Sequence, residues 1–119
     1  MDDHSVTKGK IVLVPFPFDD LSATKMRPAA CLTDPVGPHR HVVLAFITSS
    51  PPAYLLDTDI LLDHRDPSFQ ATGLRVSSTL QVHRLLTVST AIIVRELGML
   101  SSELQDDVEN TLRRLFQLS

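Results

Sequence analysis

The sequence is short of the residues on which many small proteins build their chemistry. It contains one cysteine, Cys31, so no disulfide can form within the chain and no CxxC zinc motif is possible. Cys31 lies between Ala30 and Leu32 in an apolar run, the setting of a small buried side chain rather than of a nucleophile. The four glycines stand in neither GxGxxG nor GxxxxGK[ST] order, which excludes the usual phosphate-cradling loops. No GxSxG elbow marks a hydrolase. No apolar run approaches about 20 residues, the length that spans a bilayer. The opening MDDHSVTKGK has no apolar stretch to act as a signal peptide. The expected setting is the cytoplasm, with no membrane partner.

Positive charge is also scarce. The net charge of −3 argues on its face against a nucleic-acid partner, but distribution matters more than the sum. The acids gather at Asp57, Asp59, Asp63 and Asp66 and along the C-terminal segment, while Lys8, Lys10, Lys25, Arg27, Arg75 and Arg84 are scattered elsewhere. A local basic face is compatible with that pattern.

What the chain does have is a core. Its 119 residues, 43% apolar and 21% charged, describe one soluble globular domain, large enough to bury roughly two-thirds of its unfolded surface. Residues 10–18, KIVLVPFPF, read as a buried strand ended by prolines that cannot donate to a ladder. PAACLT at 28–33 resumes an apolar strand, DPVGPHRH is a loop, and VVLAFIT at 42–48 reads as a central strand. A short strand is expected at 60–62, another in GLRVSSTLQVHRLLTVST at 73–90, where Leu74, Val76, Leu80 and Val82 alternate, and a last one in AIIVRELG. Residues 1–8 are expected to be flexible.

The final stretch changes period. Leu104, Val108, Leu112 and Leu115 share one face of a helix expected over about 102–117. Ser102 with Gln105 fits a capping box, with Ser101 as the competing N-cap. Five or more short strands followed by one amphipathic helix, with no βαβ alternation, predict a mainly β fold: a small antiparallel barrel capped by the helix. Its chemistry should lie on loops or in an outer groove.

Metal chemistry finds little support. His39 and His41 form an HxH pair in a loop, His64 and His83 stand alone, and no HExxH or EF-hand spacing accompanies them. The expectation is no metal and no cofactor. There remain Arg27 beside Lys25, and Thr48 with Ser49 and Ser50 at the end of a buried strand. If the flanking strands are neighbours, a guanidinium and a hydroxyl share one rim, which suits a phosphodiester: Arg offers a fixed fork to the non-bridging oxygens and Thr one more directed bond. From spacing alone, a solvated Arg27 at a strand end and a Thr48 capping the next turn are the better account.

GKIVLVPFPFDDLSATKMRPAACLT, VVLAFITSS and GLRVSSTLQVHRLLTVSTAIIVRELGML together resemble the PemK/MazF family of toxins from bacterial type II toxin-antitoxin modules, over about Gly9 to Phe116. The marks are the Arg27-Pro28 pair opening a strand, the strand closing in Ile47-Thr48, and the ordered apolar blocks that follow. The resemblance implies an SH3-like (CcdB/PemK-type) barrel with a C-terminal helix, a homodimer, and a cognate antitoxin as partner. It implies a metal-independent endoribonuclease that cleaves single-stranded mRNA through the substrate's own 2′-OH, leaving 2′,3′-cyclic phosphate and 5′-OH ends. No protein nucleophile is needed for that reaction.

Carried over by residue, the family's catalytic arginine falls on Arg27 and its threonine on Thr48. Many members carry a glutamate in the preceding loop, whereas this loop offers Asp20 as its nearest acid and so as the candidate base. Lys10 stands where an acid is common. RNA contacts are expected from Lys25, Arg75 and Arg84, from Ser49 and Ser50, and from Phe16 and Phe18 as stacking surfaces; with one Tyr and no Trp, few other rings are available. A non-catalytic, CcdB-like module that inhibits a protein target such as DNA gyrase is the alternative that the missing glutamate keeps open.

Overall fold

The computed structural model describes residues 6–16 and 25–119; Asp20 and Phe18 lie outside them. The strands are β1 (Lys10–Phe16), β2 (Lys25–Cys31), β3 (His41–Thr48), β4 (Asp59–Leu62), β5 (Ser78–Ser89) and β6 (Arg95–Met99), followed by the helix α1 (Ser102–Phe116). All six form one antiparallel sheet in the order β4-β5-β3-β2-β1-β6.

Alternation of side chains gives that sheet two buried faces. Val12, Val14, Ala29, Cys31, Val42, Leu44, Phe46 and Val88 pack on one, closed by Val6 and Ile93. Ile11, Ala30, Ala45, Ile47, Leu80 and Val82 pack on the other, where Val108, Leu104 and Leu112 of α1 cover them. The continuous apolar run of β3 is therefore explained: it is central and covered on both sides. Within the stretch expected to be flexible, Val6 is fully buried and Lys8 is tied to Asp34 and to Glu109 of α1.

The sheet curls into a half-barrel because the segment between β4 and β5 reaches back to the far edge. A 3-10 turn, Gln70–Thr72, sits against β6 with its backbone close to Gly98. Gly73 follows in the left-handed region at φ 73°, a conformation that glycine adopts at no steric cost. This corrects one expectation. Leu74 and Val76 are not strand, despite their alternation; β5 begins only at Ser78, and Val76 is exposed. The last strand is likewise shorter than AIIVRELG, since Thr90–Ile92 form a second 3-10 turn that delivers Ile93 into the core.

The helix occupies the expected span, with a different cap. The Ser101 hydroxyl accepts from the Leu104 N–H at 3.2 Å, so Ser101 is the N-cap. Gln105 does not reach back to Ser102; its Nε2 donates to the Leu100 carbonyl. Arg113 and Arg114 lie in the last turn, where cations complement the helix dipole.

Candidate active site

The site begins with a proline. In the β2–β3 ladder Cys31 faces Leu44, Ala30 faces Ala45 and Ala29 faces Phe46, and there the pairing stops. Pro28 has no N–H to extend it. The same register carried two residues further sets Arg27 opposite Thr48, on the face that also carries Ala29 and Phe46. The two strands thus separate at their open end with a guanidinium on one side and a hydroxyl on the other.

A polar cleft of about 140 Å³ fills that opening, lined by Phe16, Arg27, Phe46, Ile47, Thr48, Ser50, Gln81 and Arg84. Each element contributes through its register. Phe16 ends β1 and meets Phe46 edge-on at 4.1 Å between ring centroids. Gln81 faces Phe46 across the β3–β5 ladder. The Thr48 Oγ1 accepts from the Ser50 N–H at 3.1 Å, which fixes the oxygen while leaving its own proton free to donate.

Arg84 arrives by a different device. While β3 advances one residue from Ala45 to Phe46, β5 passes from Leu85 to Gln81, so Val82, His83 and Arg84 have no partner on β3. Such bulges re-aim side chains. Val82 turns into the helix-covered core and donates its N–H to Thr58, and His83 meets the Thr58 hydroxyl at 2.8 Å. Arg84 is left over the Phe46 ring, 5.8 Å from its centroid, with Nη1 donating to Gln81 Oε1 at 3.3 Å.

The electrostatics follow from what lines the cleft. Among the described residues no acid pairs with Arg27 or Arg84, and no carboxylate or imidazole lines the opening. Two guanidinium groups at one concave end make a site for an anion. The remaining expected contacts are less close. Lys25 is exposed and faces Phe16 across the β1–β2 ladder, at the same end of the sheet. Ser49 is exposed beside the cleft but does not line it, and Arg75 is exposed in the segment ahead of β5, also outside the lining. Lys10 serves elsewhere: its Nζ lies 2.8 Å from Glu96 Oε1, joining β1 to β6.

Sequence reasoning singled out neither Gln81 nor Phe46 as a cleft residue. The signal for Gln81 was a lone amide between Leu80 and Val82 of β5, legible only once its register against Phe46 is known. The other histidines among the described residues keep to the surface. His39 and His41 stand with ring centroids 6.0 Å apart, and His64 engages Ser77. Among the described residues no group of three or more His, Cys, Asp or Glu side chains is placed to hold a metal ion. No helix among them is long and apolar enough to cross a membrane.

With this geometry in view, residues 7–116 match the family described as PemK-like, MazF-like toxin of type II toxin-antitoxin system. The chain belongs to that family. No curated protein matches it in sequence. Solved structures share its fold at low identity. The Mycobacterium tuberculosis toxin MazF-mt6 is 20% identical with a TM-score of 0.68, the match covering 92% of this chain and 98% of that one. A mycobacterial endoribonuclease in complex with its cognate antitoxin is 12% identical with a TM-score of 0.69, over 97% and 98%. The MazE-MazF complex of Deinococcus radiodurans contains a chain 15% identical with a TM-score of 0.69, over 96% and 98%. At these identities the likeness establishes the PemK/MazF fold, and the chemistry has to be argued from the cleft.

Proposed function

We propose that this family member is an endoribonuclease whose cleft cuts single-stranded RNA by attack of the substrate's own 2′-OH on the neighbouring phosphodiester. The 2′-oxygen attacks the adjacent phosphorus, a P–O2′ bond forms, and the P–O5′ bond breaks. The products are a 2′,3′-cyclic phosphate and a 5′-OH. The 2′-OH loses a proton and the departing 5′-oxygen gains one.

The observation that carries this reading is the placement of Arg27 and Thr48 on one cleft, with the guanidinium unpaired among the described residues. Charge builds on the non-bridging oxygens as the phosphorane forms, and a fixed fork of donors stabilises it without reorganising. Thr48 adds one directed bond from an oxygen already held by the Ser50 N–H. Because a guanidinium stays protonated in water, Arg27 acts by electrostatic stabilisation rather than as an acid. Asp20, between β1 and β2 in the sequence, is the proposed acceptor of the 2′-OH proton. Phe16 offers a stacking face, and Ser50, Lys25 and Ser49 line the approach.

The reading brings two protein partners: a cognate antitoxin and a second copy of the chain. Family membership supports both, and a cationic cleft is a surface that a partner can cover. The test is digestion of a long RNA by the purified protein in excess EDTA, followed by end-group analysis. Cyclic phosphate ends are expected; intact RNA at high protein would instead favour a toxin that acts by contact alone.

A further inference from the structure

Arg84 is poorly explained as a surface charge. It is carried into the cleft by the β5 bulge, braced from the other side by the His83–Thr58 contact, and it stands over an aromatic ring with no acid paired to it among the described residues. Stacking on Phe46 restrains a guanidinium without neutralising it. The bond to Gln81 uses one of its five N–H donors. What results is a held cation with free donors, the arrangement that recognises phosphate.

Its position relative to Arg27 gives the role. Arg27 lies opposite Thr48 by register, whereas Gln81, to which Arg84 is bonded, faces Phe46. Thr48 and Phe46 are two residues apart on β3, about 7 Å along a strand. That is the order of separation between consecutive phosphates in an extended single strand. We infer that Arg84, carried by the β5 bulge and steadied by Gln81 and Phe46, clamps the phosphate next to the scissile one while Arg27 and Thr48 hold the scissile one. The inference rests on the single-stranded RNA reading, and it makes the minimal well-bound substrate one with two consecutive phosphates.

The test measures binding, so that it does not depend on cleavage. A 2′-O-methyl RNA oligonucleotide, which lacks the attacking hydroxyl, is titrated with wild type, R84Q, R27Q and, as a control on the exposed face of α1, R113Q. For single strands each phosphate contact contributes about 0.7 to the slope of log affinity against log salt. R84Q is expected to bind about 10- to 100-fold more weakly and to lower that slope by about 0.7; R27Q should lower it by a similar step, and R113Q should leave it unchanged.

Neutral methylphosphonates then locate the contact. At one position, the loss from R84Q should largely vanish because the phosphate it holds is already uncharged; the loss from R27Q should vanish at the neighbouring position. Coupling of both arginines to the same phosphate, or an R84Q slope equal to wild type while R27Q lowers it, overturns the clamp and leaves the nuclease reading standing. Failure of the nuclease reading shows separately, as intact RNA in the EDTA digestion.

Discussion

A methyl group on Gly98 would lie 2.2 Å from the carbonyl oxygen of Ala71, and one on Gly73 would lie 2.0 Å from that of Leu97. The turn after β4 and the edge strand β6 are therefore in backbone contact, which holds the sheet in its curl. G98A must push two backbones apart and is expected to destabilise the fold by about 3 kcal/mol or more, among the larger single-residue effects. Gly37 also has positive φ, at 76°, but nothing lies within 4 Å of its missing Cβ; G37A should cost only about 1 kcal/mol from the left-handed backbone. Chemical denaturation of the two variants checks the contrast, and equal losses would show that the close approach at Gly98 is not what holds the edge.

The helix cap gives a second comparison. Ser101 accepts from the Leu104 N–H, whereas Ser102 is exposed with no such bond. S101A should lower stability by about 1 kcal/mol, and S102A should stay within about 0.5 kcal/mol of wild type. Urea midpoints decide between them, and the reverse order would restore the Ser102 capping box.

Acid should weaken the fold through the surface loop after β4. Hydrogen bonds and charge from Arg65 hold the Asp63 carboxyl down at about 2, and Ser68 and Lys8 lower Asp66 and Glu109 in the same direction. A carboxyl with a lowered folded pKa contributes stability above its unfolded value, near 4, and loses it as pH falls through the folded one. D63N should therefore have a lower urea midpoint than wild type at pH 7, and the gap should close between about pH 4 and pH 2. A gap unchanged down to pH 2 would rule out Asp63 as a source of the acid response.

The Thr48 hydroxyl can be tested directly. T48S keeps both the bond from Ser50 and the proton for the phosphate, and should retain cleavage within about tenfold; T48V loses both and should fall by about 100- to 1000-fold, the scale of one transition-state donor. The measurement is single-turnover cleavage of a short RNA, with circular dichroism confirming the fold. Equal rates for the two variants would remove the hydroxyl from the mechanism.

Much of this was legible in the sequence, for identifiable reasons. β1, β3 and α1 were readable because their apolar periods are dictated by burial: two-sided for β3, one-sided for the helix. The start of β5 was not, because Leu74 and Val76 alternate like a strand, whereas the chain there is committed to a turn by contact between Gly73 and Leu97, a relation between distant segments. The cap moved by one residue because Ser101 and Ser102 differ only in which hydroxyl reaches an N–H. In the cleft, Arg27 and Thr48 stood out as strand-end residues but took a proposed role only from the family resemblance, and Gln81 and the bulge that aims Arg84 depend on cross-strand register, which no local pattern encodes. Arg75 looked equivalent to Arg84 as a charge in sequence, and the fold leaves it outside the cleft lining.

The measurement closest to the central claim is the single-turnover rate of RNA cleavage by R27A and R27K beside wild type, each shown to be folded. If the Arg27 fork stabilises the phosphorane, R27A should lose about 1000-fold or more and R27K, which keeps a charge without the fork, should recover only a small part of it. Cleavage by folded R27A at the wild-type rate would contradict the account.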